Sequence, residues 1–525
     1  VYSFINGADW ADEVQQLDRM SKITKQDVVD WANKYLGPES YAIVYKREGK
    51  DPNEQKIAAP KITPIVTNRD SQSEFLTEIQ NSKVEPIEPV FVDYKKDMSQ
   101  FEAQKGVNVL YKKNETNDIF TLIYVFNTGT ENDPALNLAF DYLSYLGTDK
   151  MSAEQIASEM YAIACSFGLS AGTNQSWIEV SGLSENMGKA MEIVEGLIAG
   201  AQPNEEILQN LKGDMIKSRA DAKLNQSRCF GALQRYMIYG SDFIRRTTLT
   251  DPALQGLTSE QLLAKIGDLM GKQHEVLYYG PQDEAEVKAA LAAHHKVTAD
   301  LQPLEKKFST LQPTDENKVM LAQYDAKQLY YMQYSNRGEK FDLAADPQIT
   351  LYNEYFGGGM NTIVFQEMRE ARGLAYSAWA NLAIPTNAKG DYYYMAFIAT
   401  QNDKMQKAIE AFDEIINNMP ESEKAFSIAK EALISRLRTE RTVKDGVLWS
   451  YIRMRDLGLT EPRGKQIFEK AQQMTLADVK AAQEKWVKGR KYVYGILGDI
   501  QDLDLNYLKT LGPIQTVTQE EIFGY

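Results

Sequence analysis

A repeat of about 217 residues constrains this chain more than any other feature. Leu257-Thr258-Ser259-Glu260-Gln261-Leu262, leading to an apolar run at Val276–Tyr279, returns as Met474-Thr475-Leu476-Ala477-Asp478-Val479, leading to Val493–Leu497. Each reads as a Thr cap, an amphipathic helix and a strand. An earlier helix repeats too. Met187-Gly188-Lys189-Ala190-Met191-Glu192 matches Met405-Gln406-Lys407-Ala408-Ile409-Glu410, and each is followed by a proline, Pro203 or Pro420. A third Thr-helix-strand instance stands at Ile23-Thr24-Lys25-Gln26-Asp27-Val28, leading to Tyr41–Tyr45. Matches at one spacing in separate elements imply two duplicated domains preceded by the tail of a further such domain. The sequence then reads as part of something longer.

Local signals set the expected boundaries. Residues 1–48 read as helices and a closing strand, the C-terminal tail of a preceding domain, with Gly37-Pro38 as the helix stop. Residues 49–93, rich in proline and charge (Pro52, Pro60, Pro64, Pro86, Pro89), read as an extended connector. The first full domain is expected at 94–298, a connector with Pro303 and Pro313 at 299–317, and the second domain at 318–525. In the first copy, Val107–Tyr111 and Phe120–Phe126 read as strands, with helices expected near 134–146, 153–166, 184–200, 204–240 and 258–271. In the second, strands are expected near 319–335 and 375–399, and helices near 346–356, 361–372, 403–418 and 421–456. The fold class is α+β, each copy a mostly antiparallel sheet with helices packed on one face.

Composition excludes several functions. The net charge is −15, which argues against a nucleic-acid surface, since such surfaces need a basic stripe. No apolar run approaches the roughly 18–20 residues of a membrane helix. Cys165 and Cys229 are the two cysteines, too few for a zinc ribbon or a disulfide scaffold; they read as buried thiols, with pairing left open. Of the three histidines, His274, His294 and His295, no two have the spacing of HxxEH or HExxH, so the protein described by this sequence is expected to bind no metal and no cofactor by itself.

The densest motif is Tyr355-Phe356-Gly357-Gly358-Gly359-Met360-Asn361-Thr362 running through Gln366-Glu367-Met368-Arg369-Glu370-Ala371-Arg372 to Gly373-Leu374-Ala375-Tyr376-Ser377. Three glycines precede a helix with Asn361 as the expected cap and Gly373 as its expected end. No Lys-Ser or Lys-Thr follows, so a phosphate cradle does not fit. A tight loop between packed helices does. The segment resembles the C-terminal half of the insulinase–pitrilysin zinc metallopeptidases, the inverted-motif zincins, whose fold is of the LuxS and processing-peptidase type. The resemblance implies four such domains in two halves that close around a peptide, with zinc held by the N-terminal half. It assigns substrate-carbonyl and transition-state contacts to Arg369 and Tyr376. Phe140, Leu143 and Ser144 stand in the first copy where zinc-helix ligands and the general base would be, so both are lacking here.

The resemblance therefore implies the non-zinc half of a zinc metalloendopeptidase acting on peptides or unfolded polypeptides in a closed chamber, inactive alone. Its partners would be a zinc-bearing N-terminal half and a peptide substrate, with no nucleic acid and no membrane. The alternatives are an inert scaffold or a peptide-binding subunit of the same fold. Compartment stays open, although the two-half organisation resembles bacterial periplasmic relatives.

Overall fold

The computed structural model of the protein describes residues 1–45, 49, 73–298 and 300–525. The middle of the expected connector, 50–72, lies outside the described residues, as do 46–48, 299 and the side chains of Leu76 and Gln80. The polypeptide divides into two compact units, Val1–Val84 and Glu85–Tyr525.

In the first unit, Thr24 caps the helix Lys25–Tyr35 through a reciprocal box with Asp27. The helix stops ahead of Gly37-Pro38, as the sequence predicts. Two expectations fail. Tyr41–Tyr45 alternates correctly for a strand but forms none, because a strand needs a hydrogen-bonded neighbour and this unit offers no sheet among its described residues. The supposedly extended connector contains a helix, Glu74–Asn81, which carries Phe75 and Ile79 four residues apart on one face. No described residue of this unit is buried.

The second unit contains two six-stranded sheets. The first is built from β1 (Ser99–Gln104), β2 (Val107–Lys113), β3 (Ile119–Phe126), β4 (Cys165–Ala171), β5 (Ser176–Leu183) and β6 (His274–Gly280), in the order β1-β2-β6-β3-β5-β4. The second is built from β7 (Lys318–Gln323), β8 (Gln328–Lys340), β9 (Ser377–Ala383), β10 (Asp391–Gln401), β11 (Val493–Gly498) and β12 (Ile514–Val517), in the order β12-β7-β11-β8-β10-β9. Five strands share one topology. In each copy the strand after the Thr-capped helix inserts between the first two, parallel to one and antiparallel to the other. The sixth strand differs: β1 is an antiparallel hairpin neighbour of β2, whereas β12 runs parallel to β7. Both sheets are mostly antiparallel, and the architecture is α+β as expected.

The capped helices reproduce the repeat. Thr258 and Gln261 form a reciprocal box on Ser259–Met270, and the Thr475 N–H donates to Asp478 at 2.7 Å on Leu476–Ala482. Short strands were harder to foresee. In the first copy the expected helix 153–166 ends at Ala162 and Cys165 opens β4, whose Ser and Gly carry little β signal, whereas β5 has the strand formers Trp177, Ile178 and Val180. The expected helix 204–240 divides into Glu205–Lys223 and Gln226–Thr247, since Asn225 caps a new helix by accepting from the Arg228 N–H at 3.0 Å. The expected 421–456 helix likewise divides into Glu423–Thr439 and Gly446–Asp456.

Each sheet packs its own helices against one face, the side of its larger core. The opposite face receives a helix from the other copy. Leu233 and Met237 of Gln226–Thr247 pack on Met320, Met332, Tyr334 and Leu497 of the second sheet. Val447, Leu448 and Ile452 of Gly446–Asp456 pack on Leu110, Ile123, Val125 and Leu277 of the first. The first of these contacts is close: a Cβ on Gly495 would fall 2.2 Å from Met237 Sδ, so any side chain there would have to displace the methionine thioether. This exchange removes apolar faces of both sheets from water and joins the copies into one unit.

Candidate functional site

The three-glycine motif lies against strand β9. A Cβ at Gly357 would sit 2.8 Å from the Ala380 carbonyl oxygen, so the chain at Gly357 approaches the strand backbone more closely than a side chain allows. The sequence suggests a close approach between helices; the structure shows one between the end of a π-helical turn, Asn353–Gly357, and an edge strand. The expected cap also shifts by one residue, with Thr362 as the N-cap of Ile363–Phe365 rather than Asn361. Thr362 turns its hydroxyl back to the Gly359 carbonyl at 2.7 Å and so fixes the loop.

The helix then widens into a π-helical turn, Gln366–Ala371, whose wide spacing continues where Leu374 N–H donates to the Met368 carbonyl at 2.9 Å. It ends at Gly373, in the left-handed region at φ 58°, as expected of a helix terminus. Thr400 Oγ1 donates to the Leu374 carbonyl at 2.5 Å and ties the turn to the end of β10.

This path brings Arg369 and Tyr376 together. The Arg369 Cζ lies 4.9 Å from the Tyr376 ring centroid and 5.0 Å from that of Phe365, so the guanidinium touches two aromatic rings. Its nearest carboxylate is Glu370, with Oε1 3.6 Å from Nε, beyond hydrogen-bond range. Neither the Arg369 guanidinium nor the Tyr376 hydroxyl makes a hydrogen bond among the described residues. Tyr376 is 75% exposed, and the Arg369 side chain is 38% exposed. The neighbouring Arg372 is used differently. It pairs with Glu414 at 2.8 Å and Glu367 at 3.5 Å, and Glu414 foremost raises its pKa. Phe365 was missed by sequence reasoning; its position four residues before Arg369 on the helix was the available signal.

The first copy has no such pair. Ser377 lies opposite Ala399, and Ser166 opposite Ser181, in matching registers ahead of helices that begin at Met405 and Met187. Tyr376 therefore corresponds to Cys165, a buried thiol whose pKa burial raises.

The residues at the zinc-helix position do not fit a metal. Phe140 and Leu143 are buried in the core of Leu136–Leu143, and Ser144 Oγ donates to the Asp141 carbonyl at 2.6 Å. Among the described residues no group of three or more His, Cys, Asp or Glu side chains is arranged to hold a metal ion. His294 and His295, adjacent in sequence, serve different surroundings: His295 is buried against Glu195, while His294 lies over Gly188.

The family described as peptidase M16 inactive domain matches residues 271–433, a span that contains the glycine loop, Arg369 and Tyr376. An uncharacterised zinc protease of Streptomyces coelicolor is 23% identical over 269 residues, 48% of this chain and 56% of that protein. The present sequence thus spans just over half the length of that relative. Among solved structures, the peptidase M16 inactive domain from Pseudomonas fluorescens superposes with a TM-score of 0.62 at 19% identity, covering 77% of this chain and 98% of that one. The periplasmic protease PqqL from Escherichia coli gives 0.60 at 14% identity, covering 92% of this chain and 52% of PqqL. The structures show the same fold, and the relatives are named zinc proteases. Residues 271–433 therefore match the M16 inactive domain, and the fold is that of M16-like peptidases.

Proposed function

We propose that this protein is the non-zinc half of a zinc-dependent metalloendopeptidase that cleaves peptides or unfolded polypeptides inside a closed chamber. In this reading residues 1–48 are the tail of a second domain, 49–93 the link between halves, and 94–298 and 318–525 the third and fourth domains. Zinc, its water and the general base would come from an N-terminal half, where the metal polarises the scissile carbonyl. The half described here contributes donors.

The observation that carries the proposal is the Arg369 guanidinium, held by the Phe365 and Tyr376 rings and making no hydrogen bond among the described residues. Peptide hydrolysis builds negative charge on the carbonyl oxygen, and donors already oriented towards it stabilise that charge without reorganising. A guanidinium stays charged at all working pH values, and a phenol adds a donor without net charge. Closure of the two halves would expel water and strengthen both contacts.

The test is cleavage of an internally quenched, unstructured peptide by this half alone and by its mixture with the zinc-bearing half. Turnover is expected only in the mixture, and Arg369→Ala or Tyr376→Phe should each lower it about 10²–10³-fold. Turnover indifferent to both substitutions would remove the pair from the site. An assembled, zinc-loaded mixture that binds the peptide without cutting it would establish the peptide-binding subunit instead, and one that does neither, the inert scaffold.

A further inference from the structure

A cleft of about 770 Å³, lined by neither Arg369 nor Tyr376, opens where the helix Gln226–Thr247 meets Ile522–Tyr525. Its volume falls within the range of organic-ligand sites. Three guanidiniums line it, Arg219, Arg228 and Arg235, in a protein whose net charge is −15. Arg219 is already neutralised, paired with Asp251 and stacked 4.4 Å from the Tyr525 ring. The other two are not. Among the described residues no carboxylate lies within ion-pair reach of Arg228 or Arg235.

Arg235 is nevertheless held in place. Its Nη2 donates to Thr247 Oγ1 at 2.8 Å and to Thr248 Oγ1 at 3.3 Å, while Thr247 Oγ1 donates onward to the Phe243 carbonyl at 2.8 Å. Its Cζ lies 5.6 Å from the Phe243 ring, which stacks on Tyr239 with centroids 4.4 Å apart. Two neutral hydroxyls orient this guanidinium without cancelling its charge, and Nε and Nη1 make no hydrogen bond among the described residues. Desolvation lowers its pKa, the direction expected of a cation short of an anion. A nearby carboxylate, Glu131, is engaged elsewhere, by Arg246 at 3.2 Å, Ser309 Oγ at 2.6 Å and Asn174 Nδ2 at 2.9 Å.

We propose that this cleft binds an acidic peptide segment, its carboxylate on Arg235 and Arg228 and an adjacent apolar side chain against Tyr239, Phe243 and Tyr525. Charge complementarity selects the carboxylate, because planar guanidiniums pair with it through two parallel hydrogen bonds. The aromatic wall selects a peptide over a bare inorganic anion. The inference does not depend on Arg369 or Tyr376.

The test is fluorescence anisotropy of the full 525-residue protein with three labelled peptides: an amidated phenylalanine–glutamate tetrapeptide, its phenylalanine–glutamine counterpart, and the glutamine peptide with a free C-terminus. Binding of the glutamate peptide is expected, weakened at least tenfold by Arg235→Gln, by Arg228→Gln and by added salt. Arg245→Gln, beyond the break at Gly240 and paired with Asp242 outside the cleft, should leave it unchanged. Binding of the free-acid glutamine peptide would assign the site to a polypeptide C-terminus, and its absence to acidic side chains. Arg228 makes no side-chain hydrogen bond among the described residues, so its substitution tests the site even if Arg235→Gln disturbs folding. Equal affinity for the amidated glutamine peptide, or no loss in either arginine variant, would overturn the proposal.

Discussion

The two copies have the same five-stranded core and differ in what they do with equivalent positions. At the turn into the edge strand, the first copy uses a regular helix, Ala153–Ala162, and buries Cys165. The second uses a glycine loop and a π-helical turn to expose Arg369 and Tyr376. A π-helical turn sacrifices regular hydrogen bonding to reposition side chains, and such turns recur at functional sites. The difference teaches that the fold tolerates either solution, and that only the second copy accepts the irregular one where side chains must face outward.

The copies differ again beneath their sheets. The ninth residue of the helix beginning at Met187 is Glu195, and that of the helix beginning at Met405 is Asp413. Glu195 Oε1 meets His295 Nδ1 at 2.5 Å, His295 Nε2 meets His274 Nε2 at 2.8 Å, and His274 Nδ1 meets the Lys272 carbonyl at 2.8 Å. Acceptors stand at both ends, so three hydrogen bonds in line need three hydrogens. Two neutral imidazoles bring only two, and the His295–Glu195 contact holds the third. Asp413 instead accepts from Gln333 Nε2 at 2.9 Å in a tyrosine-rich setting.

The largest expected contrast is catalytic. In the proposed assembly with a zinc-bearing half, Arg369→Ala should cost about 10²–10³ in turnover, whereas Cys165→Ala, at the position equivalent to Tyr376, should change it less than about twofold. Equal losses would show that both copies face the substrate and would break the comparison.

The reciprocal helix exchange comes next. Leu448 is fully buried against the first sheet, and Leu448→Ala should destabilise by about 2–5 kcal/mol. Urea unfolding followed by hydrogen exchange should show the loss in both copies, because the helix belongs to one and the sheet to the other. Loss confined to the second copy would mean that the exchanged helices are not what couples them.

Acid should separate the copies. Burial, and next the neighbouring His295, push His274 down to about 4 from an ordinary 6.5. Between those values the unfolded state binds the proton that the folded one refuses, so stability contributed by the first copy falls as pH drops from 6.5 through 4, by about 3 kcal/mol. Burial pushes Asp413 the other way, up to about 6, against the opposing Gln333 hydrogen bond. There the folded state takes the proton first, so the second copy gains stability as pH falls from 6 towards 3.8. Hydrogen exchange corrected for intrinsic rates should show β3 and β6 losing protection before β8 and β11. Simultaneous loss would refute the asymmetry.

Much of this was legible in the sequence because it depends on local pattern. The Thr caps at Thr258 and Thr475, the helices after Met187 and Met405, and the terminal Gly373 each carry a short-range signal. The position of Arg369 beside Tyr376 was legible through a motif whose elements lie within one turn and one strand start. What escaped depends on distant partners. Tyr41–Tyr45 has strand composition yet forms no strand, and β4 is held by pairing with β5 rather than by propensity. The line of contacts from Glu195 to His274 joins residues far apart in sequence, so no spacing rule could propose it.

The smallest effect tests the turn itself. Gly373 has φ 58° with nothing within 4 Å of an added Cβ, so Gly373→Ala meets only backbone strain and should cost about 1 kcal/mol. The first copy already bears that strain just ahead of Cys165, where Ala164 has φ 49°. Ala164→Gly should therefore move the other way, gaining up to about 1 kcal/mol, less the entropy that glycine adds to the unfolded state. Paired urea titrations give both signs. If both substitutions destabilise, the first copy's turn draws on its alanine side chain for packing that outweighs the strain, and the two turns are not equivalent in energy even though they precede equivalent strands.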